Sequence, residues 1–214
     1  MSPCPVPNLQ FEIPLWRQDQ APVAGLDEAG RGAWAGPVSA AAVILPQSHE
    51  LGERLWGVRD SKMMTPAQRA YWAIEIQKTA LAWGVGMASH LEIDQVGILP
   101  ATRLAMQRAL AALALAPRHL LLDAVRLAVD LPQTVLIKGD SRSLSIAAAS
   151  VLAKTARDAW MVLASAEYPG YGFERNKGYG TRLHQQGLDR LGPCAIHRCT
   201  FAPVKQRLGQ AAAA

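Results

Sequence analysis

Asp27 and Glu28 stand side by side after the apolar run Val23-Ala24-Gly25-Leu26, and a turn of small residues with one arginine, Ala29-Gly30-Arg31-Gly32, follows at once. Acidic residues suit strand interiors badly and adjacent like charges repel, so folding alone explains this pair poorly. A divalent cation would relieve the repulsion, and hard cations such as Mg²⁺ take carboxylate oxygens. Two more acids fall in matching places: Asp123 ends the run His119-Leu120-Leu121-Leu122, and Asp140 ends Thr134-Val135-Leu136-Ile137-Lys138-Gly139. Four carboxylates, each following an apolar strand, can converge on one sheet edge. Such a set can hold two cations about 3.5–4 Å apart, an arrangement that serves phosphodiester hydrolysis. Acids after strands also occur in α/β proteins with no such site, so the spacing by itself leaves both readings open.

The elements that would position these acids follow from pattern. Residues 23–26 and 38–45 read as strands joined by a Gly-rich hairpin connection, and Pro46 ends the second. Thr65-Pro66 starts a helix running to about Ala80, with Thr as N-cap and Pro in the first turn. Residues 82–88 form a third strand, and 99–115 a helix stopped by Pro117. The apolar runs before Asp123 and Asp140 are strands whose C-terminal ends lie where open α/β sheets place their sites. Residues 143–163 form a long Ala-rich helix, 168–181 a loop dense in Gly and Tyr, and 183–191 a helix ended by Gly192-Pro193. This predicts an α/β protein with a mixed central sheet. Residues 1–20 form an irregular lead-in, 21–208 a single domain, and 209–214 a frayed tail.

Of 214 residues, half are apolar and 18% are charged, the composition of an ordinary globular protein. No apolar run is long enough to span a membrane, and the N-terminus carries no secretory signal pattern. The three cysteines, Cys4, Cys194 and Cys199, are too few for a disulfide framework and predict a reducing cytoplasm. Residues 1–139 balance 12 Lys/Arg against 12 Asp/Glu, whereas 140–214 hold 10 against 5, so the net charge of +5 lies wholly in the last third. A one-sided basic excess suits a polyanion such as nucleic acid, although solubility alone would also account for it.

Six stretches occur in order: Asp27-Glu28-Ala29-Gly30-Arg31-Gly32 with Ala35-Gly36-Pro37-Val38; Asp60-Ser61-Lys62; Lys138-Gly139-Asp140; Ile146 to Lys154; Lys177-Gly178-Tyr179-Gly180-Thr181; and His197-Arg198. Together they resemble bacterial ribonuclease HII over nearly the whole chain. The resemblance implies an RNase H-like fold with a C-terminal helical region. It implies Mg²⁺- or Mn²⁺-dependent cleavage of the RNA strand of RNA/DNA hybrids, and nicking of duplex DNA 5′ to an embedded ribonucleotide, leaving 3′-hydroxyl and 5′-phosphate ends. By position, Asp27, Glu28, Asp123 and Asp140 match the family's metal-binding carboxylates. Gly30-Arg31-Gly32 matches its motif for the ribose 2′-hydroxyl, and Tyr179 matches a tyrosine packed on the next deoxyribose. A monomer acting on nucleic acid, with no membrane, is expected. Trp34, Gly97, Ala124 and Asn176 depart from the commoner pattern.

Lys62 and Lys177, beside matched motifs, are expected to contact backbone phosphates. Lys138, Lys154 and Ser150 are expected to be structural, as is His197. Cys194, His197 and Cys199 fit no usual zinc spacing. Gly25-x4-Gly30 is not a P-loop, because Arg31-Gly32 replaces the required Lys-Ser/Thr. The rival functional classes are a non-catalytic binder of hybrids, the related ribonuclease HIII, and a small-molecule phosphatase.

Overall fold

A computed structural model describes residues 6–211. In chain order its elements are α1 Glu12–Arg17, β1 Val23–Ala29, β2 Val38–Ile44, α2 Leu51–Arg54, α3 Pro66–Thr79, β3 Ala82–Ala88, α4 His90–Val96, α5 Ile98–Ala111, β4 His119–Asp123, β5 Gln133–Leu136, α6 Leu144–Glu167, α7 Phe173–Asn176, α8 Arg182–Leu191 and α9 Ala202–Ala211. The five strands form one mixed sheet in the order β3-β2-β1-β4-β5. The β1–β2 and β2–β3 pairs are antiparallel, while β4 and β5 run parallel to β1.

β2 is buried along its whole length because both sheet faces are covered. Its Ala41 and Val43 pack with the Ala-rich start of α6 and with α3, and its Ala40, Ala42 and Ile44 pack with α5. Alternation along the strand sends these two sets to opposite faces. Small residues let the layers approach closely. A Cβ on Gly25 would lie 2.2 Å from the Ser145 carbonyl carbon at the start of α6, so α6 can cross β1 only over glycine. The mixed sheet flanked by helices, with helices at the C-terminal end, is the expected fold class.

Several boundaries differ from expectation, each for a physical reason. The lead-in is not irregular among the described residues: α1 forms there, and its buried Glu12 accepts hydrogen bonds from Ser143 Oγ (2.6 Å), Ser145 Oγ (2.7 Å) and Ser145 N–H (2.9 Å). Tertiary contacts account for a six-residue helix: this carboxylate at the N-terminus of α6, and Ile13, Leu15 and Trp16 packed on the core. β1 runs through Asp27 and Glu28 rather than ending before them. The β2 ladder pairs Asp27 with Ala41 and Glu28 with Ala40, and these backbone bonds override side-chain propensity. α4, which no expectation named, opens on a capping box: Ser89 accepts from Glu92 N–H, and the Glu92 carboxylate accepts from Ser89 N–H. Positive φ at Gly97 (86°) then separates α4 from α5. The loop 168–181 contains α7, and α9 extends into the stretch expected to fray; the rest of that tail, with residues 1–5 and so Cys4, lies outside the described residues. Among the described residues no helix is long and apolar enough to cross a membrane.

Candidate active site

Asp27 on β1, Asp123 at the end of the neighbouring parallel β4, and Asp140 in the 3₁₀ turn Gly139–Ser141 each place a carboxylate oxygen within 4.8 Å of the other two. Asp123 builds part of this geometry itself: its Oδ1 accepts from Gly139 N–H at 2.8 Å and so fixes the turn that carries Asp140. Asp140 therefore follows its strand through a left-handed Lys138 (φ 55°) rather than ending it. Glu28 lies outside the triad. Adjacent strand residues point to opposite faces, and Glu28 Oε1 accepts from Arg31 Nη1 at 3.1 Å.

Burial, with repulsion from Glu28 and Asp123, holds the Asp27 carboxyl well above the usual carboxylate range, against hydrogen bonds from Ser150 and the Glu28 N–H. Burial also raises Glu28, although Arg31 opposes it. Asp140 is raised by burial and by Asp60 and Asp123, which outweigh the ammonium of Lys62. That ammonium stands 3.4 Å from Asp140 Oδ2 and 3.9 Å from Asp60 Oδ1. Partial burial works against its charge, but Asp60, Asp27 and Asp140 together raise its pKa. Asp27 Oδ2 and Glu28 Oε2 are buried without any hydrogen-bond partner. An acid cluster of four carboxylates with orphaned oxygens and only Lys62 and Arg31 against it is under-neutralised, and an all-oxygen anionic donor set fits hard divalent cations.

The turn Gly30-Arg31-Gly32 is held from below by two arginines that are fully buried. Arg198 donates to the carbonyls of Arg31 (2.9 Å), Gly36 (3.0 Å) and Pro37 (3.0 Å), while Arg157 donates to those of Pro37 (2.8 Å), Lys177 (2.9 Å) and Ala35 (3.1 Å). The guanidinium fork makes this possible, since lysine could not satisfy three carbonyls in one plane. Tyr179 lies over Arg157 (5.3 Å) and Lys154 (5.4 Å). Trp34 packs against Gly180, where a Cβ would come within 2.1 Å of its ring, and Trp34 N–H donates to Gly178 O at 2.8 Å. Asn176 accepts from Gly178 N–H and donates to Tyr171 O, fixing the same turn.

The two glycines of the turn do different things. A Cβ on Gly30 (φ 95°) would overlap Arg157 Nε at 1.9 Å, whereas a Cβ on Gly32 would meet nothing within 4 Å. Protein packing thus explains Gly30 but not Gly32, which faces a cleft of about 540 Å³ lined by Glu28, Arg31, Lys62, Arg69, Lys154 and Tyr179. Gly30→Ala is expected to destabilise the fold by about 2–4 kcal/mol. Gly32→Ala is expected to leave the melting temperature unchanged and to cut hybrid cleavage about tenfold or more. Thermal melts beside cleavage assays check both, and equal melting of the two variants would refute the distinction.

Of the expected lysines, Lys62 sits at the acids and Lys177 borders the adjoining cleft, with its Nζ bonded to Glu174 O. Lys154 pairs with Asp158 at 2.6 Å. Sequence reasoning missed Arg69; it quoted Asp60 and Ser61 only within a matched stretch and read Ser150 as structural, without foreseeing that the Ser61 and Ser150 hydroxyls lie 2.9 Å apart. It also missed Arg157 and Arg198 as clamps, although His197-Arg198 was one of the matched stretches. Cys194 and Cys199 are free thiols. His184 and His197 are both buried, and their Nε2 atoms are 3.0 Å apart.

Burial, with His184 and then His90 nearby, pushes His197 down to about 4. A histidine depressed in the folded state is neutral there while the unfolded chain protonates below about 6.5, so stability falls as pH drops from about 6.5 toward 4. This contributes about 3 kcal/mol of acid sensitivity. Raised carboxyls such as Asp27 give the opposite slope, so the measurement is the difference between urea unfolding of the protein and of His197→Gln at pH 7.5 and 4.5. The difference is expected to shrink at acid pH; an unchanged difference counts against a neutral His197.

A sequence profile described as Ribonuclease HII matches residues 24–204. A Ribonuclease HII of Synechococcus sp. is 54% identical over 200 residues, covering 93% of this chain and 90% of the relative. Among solved structures, the ribonuclease H2 of Pyrococcus horikoshii superposes with TM-score 0.74 at 24% identity, over 88% of this chain and 97% of that one. A Bst-RNase HIII solved in complex with Mn²⁺ gives TM-score 0.65 at 20% identity, over 90% of this chain and 70% of its own. The two structures establish the shared fold, and the profile and the Synechococcus relative the kinship. The chain belongs to the ribonuclease HII family of endoribonucleases.

Proposed function

We propose that this chain hydrolyses the RNA strand of RNA/DNA hybrids and nicks duplex DNA 5′ to an embedded ribonucleotide, using Mg²⁺ or Mn²⁺ held by Asp27, Glu28, Asp123 and Asp140. The observation that carries this reading is the meeting of three carboxylates, with orphaned oxygens on Asp27 and Glu28, beside a glycine turn that opens onto a cleft. The Mn²⁺ bound to the Bst-RNase HIII of the same fold supports the choice of cation. Bound there, the cations would supply Lewis-acid stabilisation of charge developing on the scissile phosphate.

The chain's own residues do the rest. Asp123 and Asp140 fix the anionic edge, and the Glu28 N–H holds one oxygen of the Asp27 carboxylate. Gly32 leaves room for a sugar to approach the main chain, where a 2′-hydroxyl distinguishes RNA from DNA. Tyr179, on the far side of the cleft, packs on the deoxyribose that follows. Arg31, Lys62 and Lys177 neutralise backbone phosphates, so binding weakens with salt. Residues 21–208 act as one catalytic domain in a monomeric cytoplasmic protein.

The test is cleavage of a labelled DNA duplex containing one ribonucleotide, beside an all-DNA duplex and a long hybrid, with Mg²⁺, Mn²⁺ or a chelator. A cation-dependent nick 5′ to the ribonucleotide, with all-DNA intact, is expected. Cleavage of the hybrid alone would remove the junction role of Tyr179. Binding without cleavage under either cation would make the chain a hybrid-binding module.

A further inference from the structure

His184 and His197 are buried in the C-terminal part of the chain, away from the acid edge, and the proposed reaction assigns them no role. Their hydrogen bonds nevertheless run in one direction. The Tyr179 carbonyl can only accept, and it stands 3.0 Å from His184 Nδ1, so a neutral His184 carries its proton there. Its Nε2 must then accept, and it faces His197 Nε2 at 3.0 Å, so His197 carries its proton on Nε2. That leaves His197 Nδ1 as an acceptor, and of the three Cys194 groups around it, the thiol (3.1 Å), the carbonyl (3.2 Å) and the backbone N–H (2.9 Å), the N–H supplies the donor. Each ring is thus a different tautomer, with the direction set from the Tyr179 carbonyl.

The surroundings hold the pair in place. Phe173 meets both rings at 5.2 and 5.7 Å, Tyr171 lies 5.0 Å from His197, and Trp34 lies 5.6 Å from His184. Burial also lowers the pKa of both imidazoles, consistent with two neutral rings. The end of the chain of bonds is the residue whose ring lines the cleft beside Lys154 and Gly32.

We infer that His184 and His197 form a directional relay of neutral imidazoles that positions Tyr179 for the sugar of the substrate, making His184 a specificity-determining positioning residue. This rests on the reading of Tyr179 given above. A hydrogen bond released at Tyr179 O loosens the turn carrying its ring, so the loss falls on substrate binding rather than on the chemical step.

Two measurements test it. In the wild-type protein at pH 7, nitrogen-resolved NMR of the imidazoles is expected to show His184 protonated on Nδ1 and His197 on Nε2. The same tautomer at both, or a protonated ring, would overturn the relay. In steady-state cleavage of a DNA duplex with one ribonucleotide, His184→Gln places its amide near Nε2 and abandons Tyr179 O. It is expected to raise KM about tenfold with kcat within about twofold. His184→Asn places its amide near Nδ1, keeps the bond to Tyr179 O, and is expected to restore most of that loss. Equal KM in the two variants refutes the positioning role. Tyr179→Ala in the same assay separates the failures. A raised KM there with none in His184→Gln sinks the relay and spares Tyr179, whereas no effect of Tyr179→Ala sinks the reading of Tyr179 first. Should His184→Gln not fold, the tautomers of the wild-type protein still decide the matter.

Discussion

Replacing Asp27 by Asn is expected to lower cleavage by roughly 10³-fold or more and, in the same protein, to raise the melting temperature measured in chelator. The two effects have one cause. Asp27 is buried, one of its oxygens has no partner, and its pKa is raised by burial and by Glu28 and Asp123. Without a divalent cation that arrangement is a standing repulsion, and a neutral isostere removes it. Relief of about 1–2 kcal/mol corresponds to a rise of roughly 3–6 °C in Tm. Added Mn²⁺ is expected to stabilise the parent protein and to stabilise Asp27→Asn much less. Scanning calorimetry with and without Mn²⁺, beside a single-turnover cleavage assay, reads both. A variant that melts lower than the parent in chelator would mean that the acids are not in conflict. A variant that cleaves at near-parent rates would remove Asp27 from the cation site.

Arg198→Lys is expected to destabilise the fold by about 3 kcal/mol or more and to weaken substrate discrimination. Lysine keeps the charge but not the planar fork, so at least one of the carbonyls of Arg31 and Gly36 would lose its donor, while Pro37 keeps that of Arg157. Buried acceptors left unmade cost about 1–3 kcal/mol each. The Gly30–Gly32 turn would then be pinned from Arg157 alone, which reaches residues 35 and 37 but neither 31 nor 36. Urea unfolding gives the stability, and the ratio of cleavage at a ribonucleotide to cleavage of all-DNA gives the discrimination. A lysine variant as stable as the parent would show that the three carbonyls find other donors.

What the sequence made legible was what chemistry alone demands. Acids that end or interrupt apolar runs stand out because no folding rule favours them there, and Asp27, Asp123 and Asp140 do meet. Thr65-Pro66 announced α3 because its capping box is local, and Ser89 with Glu92 could have announced α4 in the same way. What stayed hidden depends on distance in the chain. Arg157 and Arg198 read as ordinary cations until the fold sets both beneath carbonyls more than a hundred residues earlier. Ser150 looked like a packing residue because its contact with Ser61 spans 89 positions. Glu12 gave no sign that it would hold the start of α6, since nothing near it in sequence needs a carboxylate. Nor did the sequence announce that Glu28, beside Asp27, would accept a hydrogen bond from Arg31 three residues on.

The clamp by Arg198 also fixes an order of events during synthesis. All three converging acids lie between residues 27 and 140, and the five strands are complete by residue 136. The turn beside them acquires its last three donors only when residue 198 joins. A chain still leaving the ribosome therefore cannot close this turn until residue 198 has emerged, well after the residues that carry the acids and the strands.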